Sequence, residues 1–252
     1  MGRATTADSG DPSPTTTSSA ARSSRTGRRS ASAPSEARRR LRARKLFAHD
    51  RSLGHRLVAG ADEAGRGCLA GPLVAAAVLL DLEAINRSDR LALGGLDDSK
   101  VMDAERREAL YPVIMRTATR VAVTARCAPG IDRRGLHVTN LEALRDTLRR
   151  VAVAGSLCLV DGFALPDLGL PHRAVKGGDR TSAAIAAASV IAKVSRDRYM
   201  HRAATRFPHW GFDEHVGYST PTHRAAIAER GVTALHRRSF ASVAYHQLEL
   251  AG

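Results

Sequence analysis

Asp62 and Glu63 stand side by side at the end of an apolar run, Leu57 to Ala61, and Gly65-Arg66-Gly67 follows almost at once. A buried strand that ends in two charges is costly unless a cation compensates them. All-oxygen ligands favour a hard divalent ion such as Mg²⁺ or Mn²⁺. A second apolar run, Leu157 to Val160, also ends in an acid, Asp161, followed by Gly162, and a fourth acid, Asp179, opens an alanine-rich segment. If the strand ends share one edge of a sheet, these carboxylates converge, and they repel one another unless divalent cations sit between them. With cations in place they can hold two metals roughly 3.5–4 Å apart, the arrangement that clamps attacking and leaving oxygens in phosphodiester hydrolysis. Plainer readings stand beside this one. Asp-Glu before a glycine turn is also a solvated hairpin end, Asp161-Gly162 also starts a turn, and Asp179 also caps a helix. Adjacent strand residues point to opposite faces, so Asp62 and Glu63 share a site only where the strand ceases to be regular.

The elements that must position these acids are legible in outline. Pro72 to Leu80 reads as the strand returning from the glycine turn, Arg120 to Ala125 as a short β-branched strand, and His172 to Val175 as another. Asp103 is a plausible N-cap for a helix to about Thr117, and Leu141, Leu144 and Leu148 form the stripe of a helix from about Thr139 to Arg150. The long segment from about Arg180 to Arg206 is the clearest helix, and its run Ala183 to Ala192 suits close approach to a sheet. Thr220 and Pro221 are cap and first residue of a short helix that ends at Gly231. Strands alternating with helices predict an α/β sheet covered by helices.

Composition divides the chain of 252 residues. Residues 1–50 are rich in Ser, Thr, Ala and Arg and carry half of the formal net charge of +14, which predicts a disordered leader before a folded domain at 51–252. Both parts are basic, so a polyanionic partner is expected, with the leader arginines adding non-specific affinity. No run of eighteen apolar residues exists, so no membrane span is expected. Arg28-Arg29 has no apolar segment after it, which weighs against export, although the leader composition also matches a transit peptide. Cys68, Cys127 and Cys158 are odd in number and form no Cys-x-x-Cys pair, so they read as small buried hydrophobes of a reducing compartment. The ten histidines show no ligand spacing and none is assigned to metal.

Seven motifs in one order resemble the ribonuclease HII family: Asp62-Glu63-Ala64-Gly65-Arg66-Gly67, Asp98-Ser99-Lys100, Val160-Asp161-Gly162, Lys176 to Asp179, Ala186 to Asp197, Gly217-Tyr218-Ser219-Thr220 and His236-Arg237-Arg238-Ser239-Phe240. The resemblance runs from about Leu57 to Ala244. It implies a ribonuclease H-like fold, a mixed five-stranded sheet flanked by helices, with a helical C-terminal extension from about residue 207. It also implies endonucleolytic hydrolysis of RNA in RNA–DNA hybrids, including single ribonucleotides embedded in duplex DNA. The products would carry 5′-phosphate and 3′-hydroxyl ends, as part of DNA replication and repair.

By the same resemblance, Asp62, Glu63, Asp161 and Asp179 are the catalytic and metal-binding acids, with Mn²⁺ or Mg²⁺ as cofactor and two ions once substrate is bound. The Gly65-Arg66-Gly67 turn would read the ribose, since glycines let the backbone approach a sugar whose 2′-hydroxyl both donates and accepts. Tyr218 would stack on the deoxyribose beyond the cut; a half-buried core tyrosine is the competing reading. Ser99, Lys100 and Lys193 are candidate phosphate contacts, with a solvated face as the plainer alternative. The family usually reads Lys-Gly-Asp where this chain has Lys176-Gly177-Gly178-Asp179, which puts the role of Lys176 in question more than that of Asp179. Asp197 competes as fourth acid but ranks as an ion-pair partner for Arg196 or Arg198. His236-Arg237-Arg238 would either grip a nucleic-acid backbone or form a structural corner on Phe240. The expected protein is a cytoplasmic monomer whose Gln247-Leu248-Glu249-Leu250 lacks the aromatic pair of a clamp-binding peptide.

Two other classes compete. A non-catalytic nucleic-acid-binding protein on this fold would bind no metal at the acids and stay inactive with Mn²⁺. Another nuclease or recombinase of the same superfamily would cut an all-DNA substrate.

Overall fold

The computed structural model describes residues 36–99, 102–240 and 245. Five strands form one sheet in the order β3-β2-β1-β4-β5: β1 Leu57–Ala64, β2 Leu73–Asp81, β3 Arg120–Arg126, β4 Leu157–Asp161 and β5 His172–Val175. β1, β2 and β3 pair antiparallel, while β4 joins β1, and β5 joins β4, in parallel. The expected mixed sheet flanked by helices is therefore present. Its central strands read as unbroken apolar runs because both faces are covered. Val58, Val78 and Leu159 lie in one core, while Ala59, Leu79 and Val160 lie in the other.

Helix α6, Ala183–Arg206, covers the first face. A Cβ at Gly60 would come within 2.2 Å of the Ala184 and Ile185 backbone, so only glycine lets the helix lie this close. The side-chain cap of α6 is Ser182, which accepts from Ile185 N at 3.2 Å; Asp179 sits upstream in a short 3₁₀ turn, Gly178–Arg180, so the expectation that it caps the helix is corrected. The opposite face is covered by α5, Leu136–Val151, through Leu144, Leu148 and Val151. Pro129 does not interrupt the chain; it occupies the first turn of a short helix, α4, Ala128–Arg134, where its missing N–H is harmless. Asp103 caps α3, Ala104–Thr117, as read from the sequence, and Thr220 caps α7, Pro221–Arg230, in the C-terminal extension.

The leader expectation is corrected at its end. Helix α1, Glu36–Ser52, is built from residues assigned to a disordered leader that was to end at residue 50. Ala43, Leu46, Phe47 and Asp50 are buried, an i, i+3, i+4, i+7 stripe in a basic stretch. Asp50 is fully buried, and its Oδ2 accepts from Ala184 N at 3.0 Å, adding a second oxygen to the start of α6. Residues 1–35, Lys100 and Gln247–Leu250 lie outside the described residues. Among the described residues no helix is long and apolar enough to cross a membrane. Cys68 and Cys158 are buried, whereas Cys127 is exposed.

Candidate active site

The last ladder pair between β1 and β4 is Ala61 with Val160, so the next residues, Asp62 and Asp161, leave the parallel pair side by side. Strand alternation sends both to the face covered by α6, the face of Val58 and Leu159. Glu63 falls on the opposite side. β1 stays regular through Ala64, pairing Asp62 with Ala76 and Glu63 with Ala75, so the irregularity that would turn both acids to one side is not found here. Asp62 and Asp161 are neighbours because β1 runs on past the end of its pairing with β4.

Asp62 is 2 % exposed. Its Oδ1 accepts from Glu63 N at 2.7 Å, while its Oδ2 is buried without a hydrogen-bond partner. Burial, then the neighbouring Glu63 charge, and more weakly Asp161, push its pKa up to about 8. The Ser189 hydroxyl opposes this shift but leaves Oδ2 unpartnered, being bonded to Ser99 Oγ at 2.7 Å. Asp161 Oδ1 accepts from Gly178 N at 2.7 Å, which draws the 3₁₀ turn and its Asp179 towards the end of β4. The additional glycine has a physical use. Gly177 takes the left-handed conformation at φ +63°, and a Cβ on Gly178 would meet Ile185 at 2.4 Å and Asp161 Oδ1 at 3.3 Å. Lys176 is exposed. Asp179 is 3 % exposed, with Arg180 Nε 3.9 Å from its Oδ1 and 3.8 Å from Asp98 Oδ2. Asp98 is thus a further buried acid near the cluster to which the sequence reading gave no role.

Among the described residues no three acidic, histidine or cysteine side chains converge closely enough to enclose an ion. The acids are held apart by their own partners: Glu63 N for Asp62, Gly178 N for Asp161 and Arg180 for Asp179. The donor set still fits a hard divalent cation. Asp62 keeps an orphaned buried Oδ2, and burial, then Glu63 and Asp161, disfavour its charged form, a cost that such an ion would relieve.

The glycine turn rests on Arg196. Gly65 has φ +83°, and a Cβ there would lie 1.9 Å from Arg196 Nε, so the position admits only glycine. Gly67 is exposed with open space before it. Arg66 NH1 lies 3.9 Å from Glu63 Oε1, and its guanidinium stands 4.8 Å from the Phe163 ring. Arg196 itself is fully buried and donates to Pro72 O, Val216 O and Ala70 O at 3.0, 2.8 and 3.0 Å. Asp197 pairs with Lys193 at 2.6 Å and Arg107 at 3.6 Å, and Arg198 pairs with Glu108, so the expected Asp197 partners are corrected. Helical spacing explains the choice: Lys193 is one turn before Asp197 on the same face, while residues 196 and 198 diverge from it.

Tyr218 is 39 % exposed, a half-buried position that leaves part of the ring open to solvent. Lys193 Nζ is 5.5 Å from its ring centroid. Ser99 is buried, with its hydroxyl on Ser189 and its carbonyl on Arg107 NH1 at 2.9 Å, so it braces α6 instead of presenting a surface to solvent. Of the C-terminal motif, Arg238 is exposed, while Arg237 takes the corner reading. It is fully buried, donates to Gly71 O and Arg66 O, and stacks 5.1 Å from Phe240, a structural corner that holds the glycine turn from below.

Three histidines that sequence spacing did not single out secure the Tyr218 turn. His215 bridges Gly217 N and Trp210 O, and its ring stacks on that of His223 at 4.1 Å. His236 Nδ1 accepts from Thr233 N at 2.8 Å, so in a neutral cluster its Nε2 donates to His223 Nε2 at 3.1 Å and His223 Nδ1 donates to Tyr218 O at 2.8 Å. Every ring nitrogen of the three is engaged. Burial, aided by their mutual repulsion, pushes His223 and His236 down to about 4.

These shifts oppose one another in the metal-free protein. Between about pH 4 and 8, folded Asp62 holds a proton that the unfolded chain releases, so stability falls as pH rises. Between about pH 6.5 and 4, the unfolded chain protonates His223 and His236 while the fold resists, so stability falls as pH drops. At about pH 6.5 two half-protonated histidines balance one carboxylate. Thermal unfolding in a chelator should therefore show its highest Tm near pH 6.5; a Tm still climbing beyond pH 8 would contradict these assignments.

The family model described as Ribonuclease HII matches residues 59–243. Ribonuclease HII of Mycobacterium sp. (strain KMS) is 50 % identical over 186 residues, covering 74 % of this chain and 76 % of that protein. Among solved structures, ribonuclease H2 from Pyrococcus horikoshii OT3 superposes with a TM-score of 0.67 at 26 % identity, over 77 % of this chain and 98 % of that one. The RNase HII of the PCNA:RNase HII complex from Archaeoglobus fulgidus gives a TM-score of 0.62 at 28 % identity, over 74 % and 96 %.

Proposed function

This chain belongs to the ribonuclease HII family, endoribonucleases that hydrolyse RNA in RNA–DNA hybrids, and from that premise we propose that it also cuts at single ribonucleotides embedded in duplex DNA, leaving 5′-phosphate and 3′-hydroxyl ends. One observation carries the reading: the buried, unpartnered Oδ2 of Asp62 beside Asp161, where β1 runs past the end of its pairing with β4.

Asp62, Glu63, Asp161 and Asp179 are the residues that would hold Mn²⁺ or Mg²⁺, two ions once substrate is bound. When bound, such ions supply positive charge for the attacking and leaving oxygens and lower the pKa of water. The chain supplies position. Asp62 and Asp161 fix the negative site at one sheet edge, and the Gly178 N–H orients Asp161. The open Gly67 backbone approaches the ribose, where the 2′-hydroxyl can both donate and accept. Tyr218 presents its ring to the next sugar, held by His223 through its own carbonyl. Lys193 serves the phosphate side from beside that ring. Ser99, buried on Ser189, acts by bracing α6.

The Archaeoglobus fulgidus relative was solved with PCNA. For this chain we read a cytoplasmic monomer without a clamp-binding peptide. The test of the reading is a digest of three labelled duplexes with Mn²⁺ or Mg²⁺. Embedded ribonucleotide and full hybrid should be cut and all-DNA duplex left intact. Tyr218→Ala should lower kcat/KM on the embedded ribonucleotide by roughly tenfold, the weight of one stacking contact at about 1–3 kcal/mol. Cleavage of the all-DNA duplex, or none of any duplex, would refute it.

A further inference from the structure

Helices α1 and α2, Arg87–Ala92, face each other across a groove of about 870 Å³. Arg40, Arg44 and Arg51 line it from α1, Arg87 and Arg90 line it from α2, and Phe47 is part of its lining. Arg51 donates to Leu82 O at 3.4 Å and Arg90 to Ile85 O at 2.6 Å, bonds that leave both charges unneutralised. Among the described residues Arg44, Arg51, Arg87 and Arg90 form no ion pair with a carboxylate. Several like charges along one concave wall repel one another, and an anion with many oxygens is what removes that repulsion.

We propose that this groove is a second nucleic-acid contact, which grips the phosphate backbone of the same duplex that is cut at the acid cluster. The proposal rests on the function read above for its ligand class and on three features of the groove. Guanidinium forks match phosphate oxygens, each able to engage two at once. The groove lies within a short chain distance of the site: Gly94 lines it, and Asp98, beside Arg180, is only four residues on, at most about 14 Å of extended chain. One strand of a duplex carries a phosphate about every 3.4 Å, so that distance is a few phosphates. Finally, the three arginines of α1 precede residues 59–243, so they add a contact outside the segment matched by the family.

The duplex must be long enough to reach both places. Arg44 and Arg87 are exposed and carry no bond that the fold needs, so Arg44→Gln with Arg87→Gln leaves folding and the catalytic machinery alone. Binding is measured in a chelator, so that nothing is cut, on a long hybrid duplex of about 24 base pairs over a range of salt. For the long duplex, loss of two phosphate contacts should lower the slope of log K against log salt by about 1.8 and weaken binding roughly tenfold near 0.1 M salt. The kcat at saturating substrate should stay within about twofold. An unchanged slope on the long duplex would overturn the proposal. So would a loss confined to a polyglutamate chain of matched charge, which would assign the groove to an acidic protein partner. Because binding is read without cleavage, failure of the cutting assay and failure of this one are separate results.

Discussion

Asp62→Asn should abolish cleavage and at the same time stabilise the metal-free protein. The substitution keeps the shape of the side chain and removes the charge that burial, Glu63 and Asp161 all disfavour. A cluster that needs a divalent cation to be neutral loses its central ligand, so cleavage should fall by roughly 10²–10³-fold or more, the scale of removing a main electrostatic element from a hydrolytic site. Stability moves the other way. At pH 8 the folded wild-type chain is forced to hold a carboxylate in a place that resists it, so the neutral amide should gain on the order of 2 kcal/mol, a Tm increase of roughly 4–8 °C. The gain should shrink towards pH 5, where the wild-type acid is already protonated in the fold. Thermal scans in chelator at pH 5 and 8, with a cleavage assay on the same preparations, read both effects. Equal Tm values at pH 8 would show that Asp62 is not under electrostatic strain.

Arg196→Met should be the most destabilising single change on α6. The side chain is fully buried, and its three donors satisfy the carbonyls of Ala70, Pro72 and Val216, which belong to two segments distant in sequence. Methionine fills similar space but leaves three buried acceptors without a donor, at about 1–3 kcal/mol for each acceptor left bare. A net loss of roughly 3–5 kcal/mol is expected, or a Tm lower by about 10 °C or more. The functional consequence is specific, because Gly65 and Tyr218 both stand against this guanidinium, the second at 5.9 Å. Below its Tm the variant should discriminate less between embedded ribonucleotide and all-DNA duplex. Arg196→Lys should recover only part of either property, since an ammonium is a point charge and cannot span three carbonyls as the planar fork does. A Lys variant indistinguishable from wild type would refute the fork as the reason for arginine here.

Much of this architecture could be read from the chain because local chemistry and global fold agree there. The strands β1, β2 and β4 are buried on both faces, so they appear as continuous apolar runs, and α6 declares itself by alanines that the approach to Gly60 requires. Asp103, Thr220 and Pro221 announce helix starts by chemistry that needs no tertiary context. The resemblance to ribonuclease HII rested on motifs that the family match and the superposed structures bear out.

What stayed illegible depends on partners far away in the chain. The apolar stripe of α1 is narrow, interrupted by arginines and ends in an acid, Asp50, whose burial makes sense only beside the start of α6. Alternation argued that Asp62 and Glu63 share a site only where the strand is irregular, and β1 stays regular through both; the overhang of β1 past β4, which sets Asp62 beside Asp161, is a matter of register and is not visible in one sequence. The histidine cluster draws on positions 215, 223 and 236, a spacing that matches no ligand motif because the rings bond to backbone and to each other. Asp197 found Lys193 instead of its neighbours because Arg196 is consumed by carbonyls.

The central claim is that a buried acid cluster led by Asp62 holds a divalent cation, and calorimetric titration with Mn²⁺ tests it most directly. Binding must displace the proton that Asp62 keeps below about pH 8, so affinity should rise by at least about tenfold between pH 6 and 8, with close to one proton released at pH 6. Asp62→Asn should bind far more weakly and release none. Affinity independent of pH, or wild-type binding by the Asn variant, would contradict the account.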